Sequence, residues 1–159
     1  MKHLPKHIQP RWRYLAVEIE TWPDATVERD AFQRSLWYSA QNLLGDTGSA
    51  DLDLSVLRFR GGEGGGVALV RTRRGSVENA RAASACVDGI DGQPVGLRVR
   101  GVSGTVRACE EKYMGDAPKD PEQRHVVFDG AQRSGLVRDG RVDVRAETAF
   151  TGATTLDIE

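Results

Sequence analysis

Between residues 13 and 19 apolar and polar positions alternate, with Leu15, Val17 and Ile19 on one side and Tyr14, Ala16 and Glu18 on the other. A period of two is that of a half-buried strand. Pro23 and Asp24 in "ETWPDAT" break it with a turn. Over 27–44 the period lengthens. Val27, Ala31, Leu36 or Ser35, Ala40, Leu43 and Leu44 fall near one stripe, with Phe32 and Trp37 beside it. This predicts the longest helix of the chain, ended by Gly45 in the usual position after a helix. Alternation returns at 54–60, where Ser55, Leu57 and Phe59 oppose Val56, Arg58 and Arg60. The connector "GGEGGG" (61–66) joins this run to "VALVRTR" (67–73), which predicts a hairpin. Helical spacing resumes over 75–87, with Val77, Ala80, Ala83 or Ser84 and Val87 on one face and Ser76 as the candidate cap. A fourth strand is predicted at 94–101, with Val95, Leu97 and Val99 opposite Gly96, Arg98 and Arg100. A short helix over 103–114 follows, with Val106, Cys109 and Tyr113 or Met114 on one face.

The order strand, helix, strand, strand, helix, strand predicts an α+β fold, a two-layer ferredoxin-like βαββαβ sandwich. Its four-stranded antiparallel sheet would carry two helices on one face. The other face would be open, or covered by the extra C-terminal helix or by a partner. The division expected is a basic N-terminal arm (1–12), the domain (13–114) and an acidic tail (115–159). The tail starts with the Pro-rich charged linker "DAPKDPEQR", and Asp139-Gly140 is a hairpin signal within it. Its large apolar residues are too few for a core of its own, so it is expected as a loosely ordered or short-stranded extension.

Charge sharpens this division. The 159 residues carry 22 Lys and Arg against 23 Asp and Glu, a net charge of −1. Residues 1–115 hold a balance of +2 and residues 116–159 one of −3. Lys2, Lys6, Arg11 and Arg13 stand in the first fourteen residues without an acid. Eighteen of the basic residues are Arg, the side chain that forks onto phosphate or carboxylate. No apolar run approaches the ~20 residues that span a bilayer, and no signal peptide is visible, so a cytoplasmic protein with no membrane contact is expected. Cys86 and Cys109 are expected as two buried thiols, and His3, His7 and His125 lack metal-ligand spacing. No metal site is expected, and no nucleophile, base or carboxylate pair with a catalytic context.

"GGEGGG" is no phosphate loop, because a strand follows it and the Lys is missing; a flexible hairpin tip is expected instead. The arginines matter more. Arg58, Arg60, Arg98 and Arg100, with Tyr14, are predicted on sheet positions facing away from the helices, and Arg71, Arg73 and Arg74 at the end of the third strand. With the N-terminal arm they form a candidate footprint for an RNA backbone. A solvated arginine-rich sheet balanced by Glu18 and tail acids explains them equally. The face lacks the stacked aromatics of a sequence-reading RNA-binding sheet. "VSGTVRAC" (102–109) reads as a strand-to-helix turn in which Ser103 or Thr105 caps the helix. The same turn, with Ser103, Gly104, Thr105 and Arg107, is a candidate anion or partner site. An acylphosphatase-like enzyme would need its anion loop after the first strand, whereas this one follows the fourth. A stand-alone RNA-binding module stays open as the alternative.

"RWRYLAVEIE", the helix "QRSLWYSAQNLLGDTGSA" and above all "GLRVRGVSGTVRAC" resemble the archaeal ribonuclease P protein component 2 family, shared by archaeal and eukaryotic ribonuclease P. The resemblance spans roughly residues 11–114, and the composition is similar to haloarchaeal members. It implies a non-catalytic protein subunit of the endonuclease that removes the 5′ leader from precursor tRNA. It implies that the RNA is the catalyst, with Mg²⁺ on that RNA and no cofactor on the protein. It also implies a barrel-fold partner, component 3, and self-association into a heterotetramer. Lys2, Lys6, Arg11, Arg13, Arg58, Arg60, Arg71, Arg73, Arg98, Arg100 and Arg107 are the candidate RNA contacts.

Overall fold

A computed structural model describes residue 5 and residues 11–115, 122–138, 140–146 and 149–158. The elements are β1 (Trp12–Thr21), α1 (Arg29–Leu52), β2 (Ser55–Gly62), β3 (Gly65–Arg73), α2 (Val77–Ala85), β4 (Gly89–Ile90), β5 (Gln93–Ser103) and α3 (Val106–Tyr113). Four more strands follow, β6 (Glu122–Phe128), β7 (Ala131–Arg138), β8 (Arg141–Ala146) and β9 (Ala149–Thr154). The fold is α+β, with antiparallel pairing throughout.

The main sheet has five strands in the order β2-β3-β1-β5-β4, one more than four. The addition is the two-residue β4, which pairs Gly89 with Pro94 and Ile90 with Gln93. β1 lies at the centre, and its alternation sorts two clusters. Leu15, Val17 and Ile19 point into the main core with Phe32, Leu36 and Ala40 of α1 and Ala80 and Ala83 of α2. Ala16 points the opposite way, into a smaller cluster with Val67, Leu69, Cys109 and Met114. α3 therefore covers the second face of the sheet. Gly101 permits that approach, because a Cβ there would overlap the Tyr113 ring.

Two local readings change. In β2 a bulge leaves Leu57 between the pairs Val56–Val70 and Arg58–Leu69. An extra residue reverses the alternation beyond it. Val56 and Phe59 consequently both face the main core, and Leu57 packs on the α3 side, which corrects the strict alternation expected at 54–60. Gly45 is non-helical (φ 76°), yet the chain re-enters a helix and runs to Leu52. The Gly-rich connector is also mostly strand: Gly61 and Gly62 pair with Gly66 and Gly65. Gly65 lies against the Ile19 carbonyl with no room for a Cβ, so close backbone approach explains this glycine better than flexibility.

Residues beyond the linker form a second antiparallel sheet, in the order β6-β7-β8-β9. Residues 116–121 and Asp139 lie outside the described residues, while Gly140 (φ 79°) sits between the paired Arg138 and Arg141. Val126, Val142 and Val144 make a small core, and the scarcity of large apolar groups is met by residues borrowed from the domain. Trp22 and Ala25 pack on Leu136, and Trp22 stacks on Phe150 with ring centroids 5.0 Å apart. Beside them Arg138, almost fully buried, donates to the Thr21 carbonyl (2.9 Å) and to Asp143 (2.6 Å), and Arg141 donates to Glu20 (3.0 Å).

Candidate nucleic-acid interface

The α3 side of the main sheet has three zones. At one end Glu18, buried at 5% side-chain exposure, accepts from Arg98 (2.6 Å) and Arg100 (3.0 Å). Burial alone would raise the Glu18 pKa, but the hydrogen bonds and charges of the two guanidiniums hold it below the usual carboxylate range. Arg100 also donates to the Tyr113 carbonyl (3.0 Å). These two arginines therefore anchor a buried carboxylate, although the Arg98 side chain remains 54% exposed.

The middle zone is the α3 contact. Arg60 donates to the Met114 carbonyl, and Arg58 lies 3.4 Å from Glu110, so both brace the end of α3. Their stems line a shallow cleft with Phe59 and Gly115.

The third zone is the end of the sheet where β1 begins and β3 stops. Trp12 is paired with Arg73 and Tyr14 with Arg71, which places both aromatics and both arginines on one face. The Arg71 guanidinium lies 3.8 Å from the Trp12 ring centroid and that of Arg73 4.7 Å from it. Arg73 also reaches Asp53 at 3.2 Å. Arg74 donates its backbone N–H to the Arg11 carbonyl, which brings the start of the chain alongside. The turn "VSGT" closes the zone. Ser103 pairs with Tyr14, and Gly104 lies near the Arg13 guanidinium. Thr105, rather than Ser103, caps α3, its hydroxyl oxygen accepting from the Ala108 N–H (3.1 Å). Arg107 stands exposed in the first turn, beside Glu111 at 2.9 Å.

The register thus brings Arg11, Arg13, Arg71, Arg73 and Arg74 to one end of the sheet beside the 103–105 turn, with Arg13 on the opposite face from Arg71 and Arg73. It leaves Arg58, Arg60, Arg98 and Arg100 bonded to other parts of the protein. Lys2 and Lys6 lie outside the described residues. Trp12 escaped the sequence reading, because it falls at the edge of the basic arm, before the alternation becomes visible. Cys86 is exposed, a correction to the expectation of two buried thiols. The helix face that would cover it is used by Ala80 and Ala83. Cys109 is buried against the α3 side of the sheet, and burial and the nearby Glu110 push its thiol up to about 11. Among the described residues no group of three or more His, Cys, Asp or Glu could hold a metal ion. No helix there is long and apolar enough to cross a membrane.

A second surface lies on the opposite layer. The Gly45 kink and the start of β2 frame a groove of about 680 Å³ lined by Arg34, Trp37, Tyr38, Gln41, Asp46 and Asp53, among others. Trp37 is fixed by donating to the Leu54 carbonyl (2.8 Å) while staying 47% exposed, and Tyr38 is 66% exposed.

Comparison with known proteins follows the same division of the chain. The Rpp14/Pop5 family profile matches residues 13–114, the main sheet with its three helices. Proteins named ribonuclease P protein component 2 are similar over the whole length: 61% identity in Haloarcula marismortui, over 99% of both chains, and 59% in Halorubrum lacusprofundi, over 100% of both. One from Methanosarcina mazei is 34% identical over 116 residues, 73% of this chain and 95% of that one. A chain in the cryo-EM structure of yeast ribonuclease MRP shares the fold, with a TM-score of 0.50, 13% identity and coverage of 63% of this chain and 79% of that one.

Proposed function

Because this chain belongs to the Rpp14/Pop5 family and is a protein subunit of ribonuclease P, we propose that its basic sheet end contacts the ribonuclease P RNA. The holoenzyme is the endoribonuclease that removes the 5′ leader from precursor tRNA, and the protein itself is not the catalyst. The observation that carries the reading is one sheet end where the Arg71 and Arg73 guanidiniums meet on Trp12, Arg13 lies beside Gly104 of the 103–105 turn and the backbones of Arg11 and Arg74 are bonded, with Asp53 bonded to Arg73. Guanidiniums so placed neutralise phosphates of folded RNA at close range. Close contact matters most in concentrated salt, where longer-range attraction is screened.

The mechanism is indirect. Mg²⁺ is carried by the RNA, and the arginines lower the repulsion among the phosphates that surround it. Less Mg²⁺ is then needed to hold the catalytic conformation. Precursor tRNA is met through the holoenzyme. Protein partners, the barrel-fold component 3 and a second copy of this chain, use the other surfaces: the Trp37–Tyr38 groove and the exposed side of α3. We read the main sheet as the βαββαβ plan with β4 added at its edge, and the protein as cytoplasmic.

Cleavage of precursor tRNA, assayed with the RNA and the remaining subunits at limiting Mg²⁺, tests this reading. Adding the chain should raise the rate. Equal cleavage with and without it would contradict the proposal.

A further inference from the structure

We propose that Trp12 is a positioning residue that holds Arg71 and Arg73 as a preformed fork for the phosphodiester backbone of the RNA. The inference rests on the ribonuclease P reading and names the part of the basic end that does the gripping.

Register supplies the geometry. Arg71 and Arg73 are two residues apart on one strand, so their side chains leave the same face roughly 6.5 Å apart. Trp12 lies directly across from Arg73, and both guanidiniums sit within cation–π range of its ring, at 3.8 and 4.7 Å. An arginine is a long side chain that loses much rotamer freedom when it binds. Stacking on the indole removes that freedom beforehand, and a planar guanidinium can stack while its N–H groups remain available.

Hydrogen bonding points to a missing acceptor. Among the described residues, Arg71 Nε is the one buried side-chain nitrogen or oxygen without a hydrogen-bond partner. A buried donor left without an acceptor is costly, and a small shift of the guanidinium that lets Nε meet an anionic oxygen would relieve that cost. Arg73, the second prong, shares its charge with Asp53 at 3.2 Å, and the remaining sheet-face arginines are engaged elsewhere. Arg98 and Arg100 are directed at Glu18 and Arg60 at the Met114 carbonyl. Because guanidiniums already occupy the Trp12 ring, the indole serves them and is not a platform for a base.

This assignment makes a charge-neutral substitution lower electrostatic binding. Binding of the full chain to its ribonuclease P RNA is measured across salt concentrations at which circular dichroism shows the protein folded. Trp12→Leu should weaken binding about three- to thirtyfold, the range expected for losing a desolvated cation–π contact. It should also lower the slope of log affinity against log salt by about one, although no charge is removed. Trp12→Phe, which keeps a ring, should recover most of both. In an Arg71→Ala/Arg73→Ala background, Trp12→Leu should have no further effect.

Unchanged binding by Trp12→Leu overturns the proposal. So does weaker binding at an unchanged salt slope, or an equal loss in the double-alanine background, because either marks Trp12 as a base-stacking residue. If Trp12→Leu does not fold, Arg71→Lys asks the same question: charge is kept, stacking and fork are lost, and full affinity would refute the clamp. Loss of partner-protein capture with RNA binding intact overturns it as well. A wild-type chain that fails to bind the RNA removes the RNA-contact reading and the clamp together. Losses confined to the variants concern the clamp alone.

Discussion

Replacing Arg138 by Met removes a guanidinium that joins the second sheet to the domain while keeping an apolar stem of similar length. The native side chain is 7% exposed and binds Asp143 at 2.6 Å and the Thr21 carbonyl at 2.9 Å, with Glu20 at 3.9 Å. Breaking a buried ion pair from one side typically costs ~3–5 kcal/mol. Here the loss is smaller, because Glu20 keeps Arg141 at 3.0 Å and Asp143 is 34% exposed. Leaving the Thr21 carbonyl unsatisfied adds ~1 kcal/mol or more. The expected destabilisation is therefore about 2–4 kcal/mol at neutral pH. Trp22 is the reporter of choice. Its ring stacks on Phe150 and lies 4.9 Å from the Arg145 guanidinium, so undocking of the second sheet changes its fluorescence.

The pH dependence has a definite sign. Burial raises the Asp143 pKa and the positive charge of Arg138 opposes that rise, with the net shift upward. Without Arg138 the pKa climbs further, so the folded variant binds a proton more readily than the folded wild type. The stability gap between them should narrow as pH falls through the acid range. Urea titrations followed by Trp22 fluorescence and by far-ultraviolet circular dichroism provide the measurement. A variant within 0.5 kcal/mol of wild type by both probes, at the order of an ordinary surface substitution, would refute the role given to Arg138.

Three further outcomes follow from the packing and the charges. Gly101→Ala should cost about 1–3 kcal/mol and displace α3, because the new methyl meets the Tyr113 ring; urea melts and Tyr113 chemical shifts check this. Glu18 has a folded pKa below its unfolded value, so its contribution is present above the unfolded pKa and lost as pH falls through the folded one. Glu18→Gln should accordingly be less stable by about 1–3 kcal/mol at neutral pH, with a flatter acid limb in a melting-temperature series. Thiol alkylation of the native protein near pH 8, read by mass spectrometry, should label exposed Cys86 and spare Cys109, whose thiol is buried and raised to about 11.

Much of this was visible in local patterns. The alternation at Leu15, Val17 and Ile19 marks the central strand because one face of it meets two helices. Gly45 marks a real break in helical dihedrals, although the chain resumes a helix beyond it. What escaped is non-local. A single bulged residue at Leu57 reverses the inside and outside of β2, and side-chain periodicity cannot show where an extra residue is absorbed. The second sheet looked too poor in apolar groups because its largest packing partner, Trp22, comes from the residue just after β1. The candidate interface has the same lesson. Arginine spacing pointed to the sheet face, but Arg98 and Glu18 are 80 positions apart in sequence, and only folding shows that one answers the other. Trp12 had no visible role until the register set it against Arg73.

The central claim is that guanidiniums at one end of the sheet, not those near Glu18, assist the RNA. The most direct measurement is the Mg²⁺ dependence of precursor tRNA cleavage by holoenzyme reconstituted with each of two variants. Changing Arg11, Arg13 and Arg74 together to Gln should shift the Mg²⁺ requirement upward and leave the rate at saturating Mg²⁺ near that of wild type. Arg98→Gln should leave the Mg²⁺ curve where it was. A curve unmoved by the triple substitution, or moved equally by Arg98→Gln, would contradict the account.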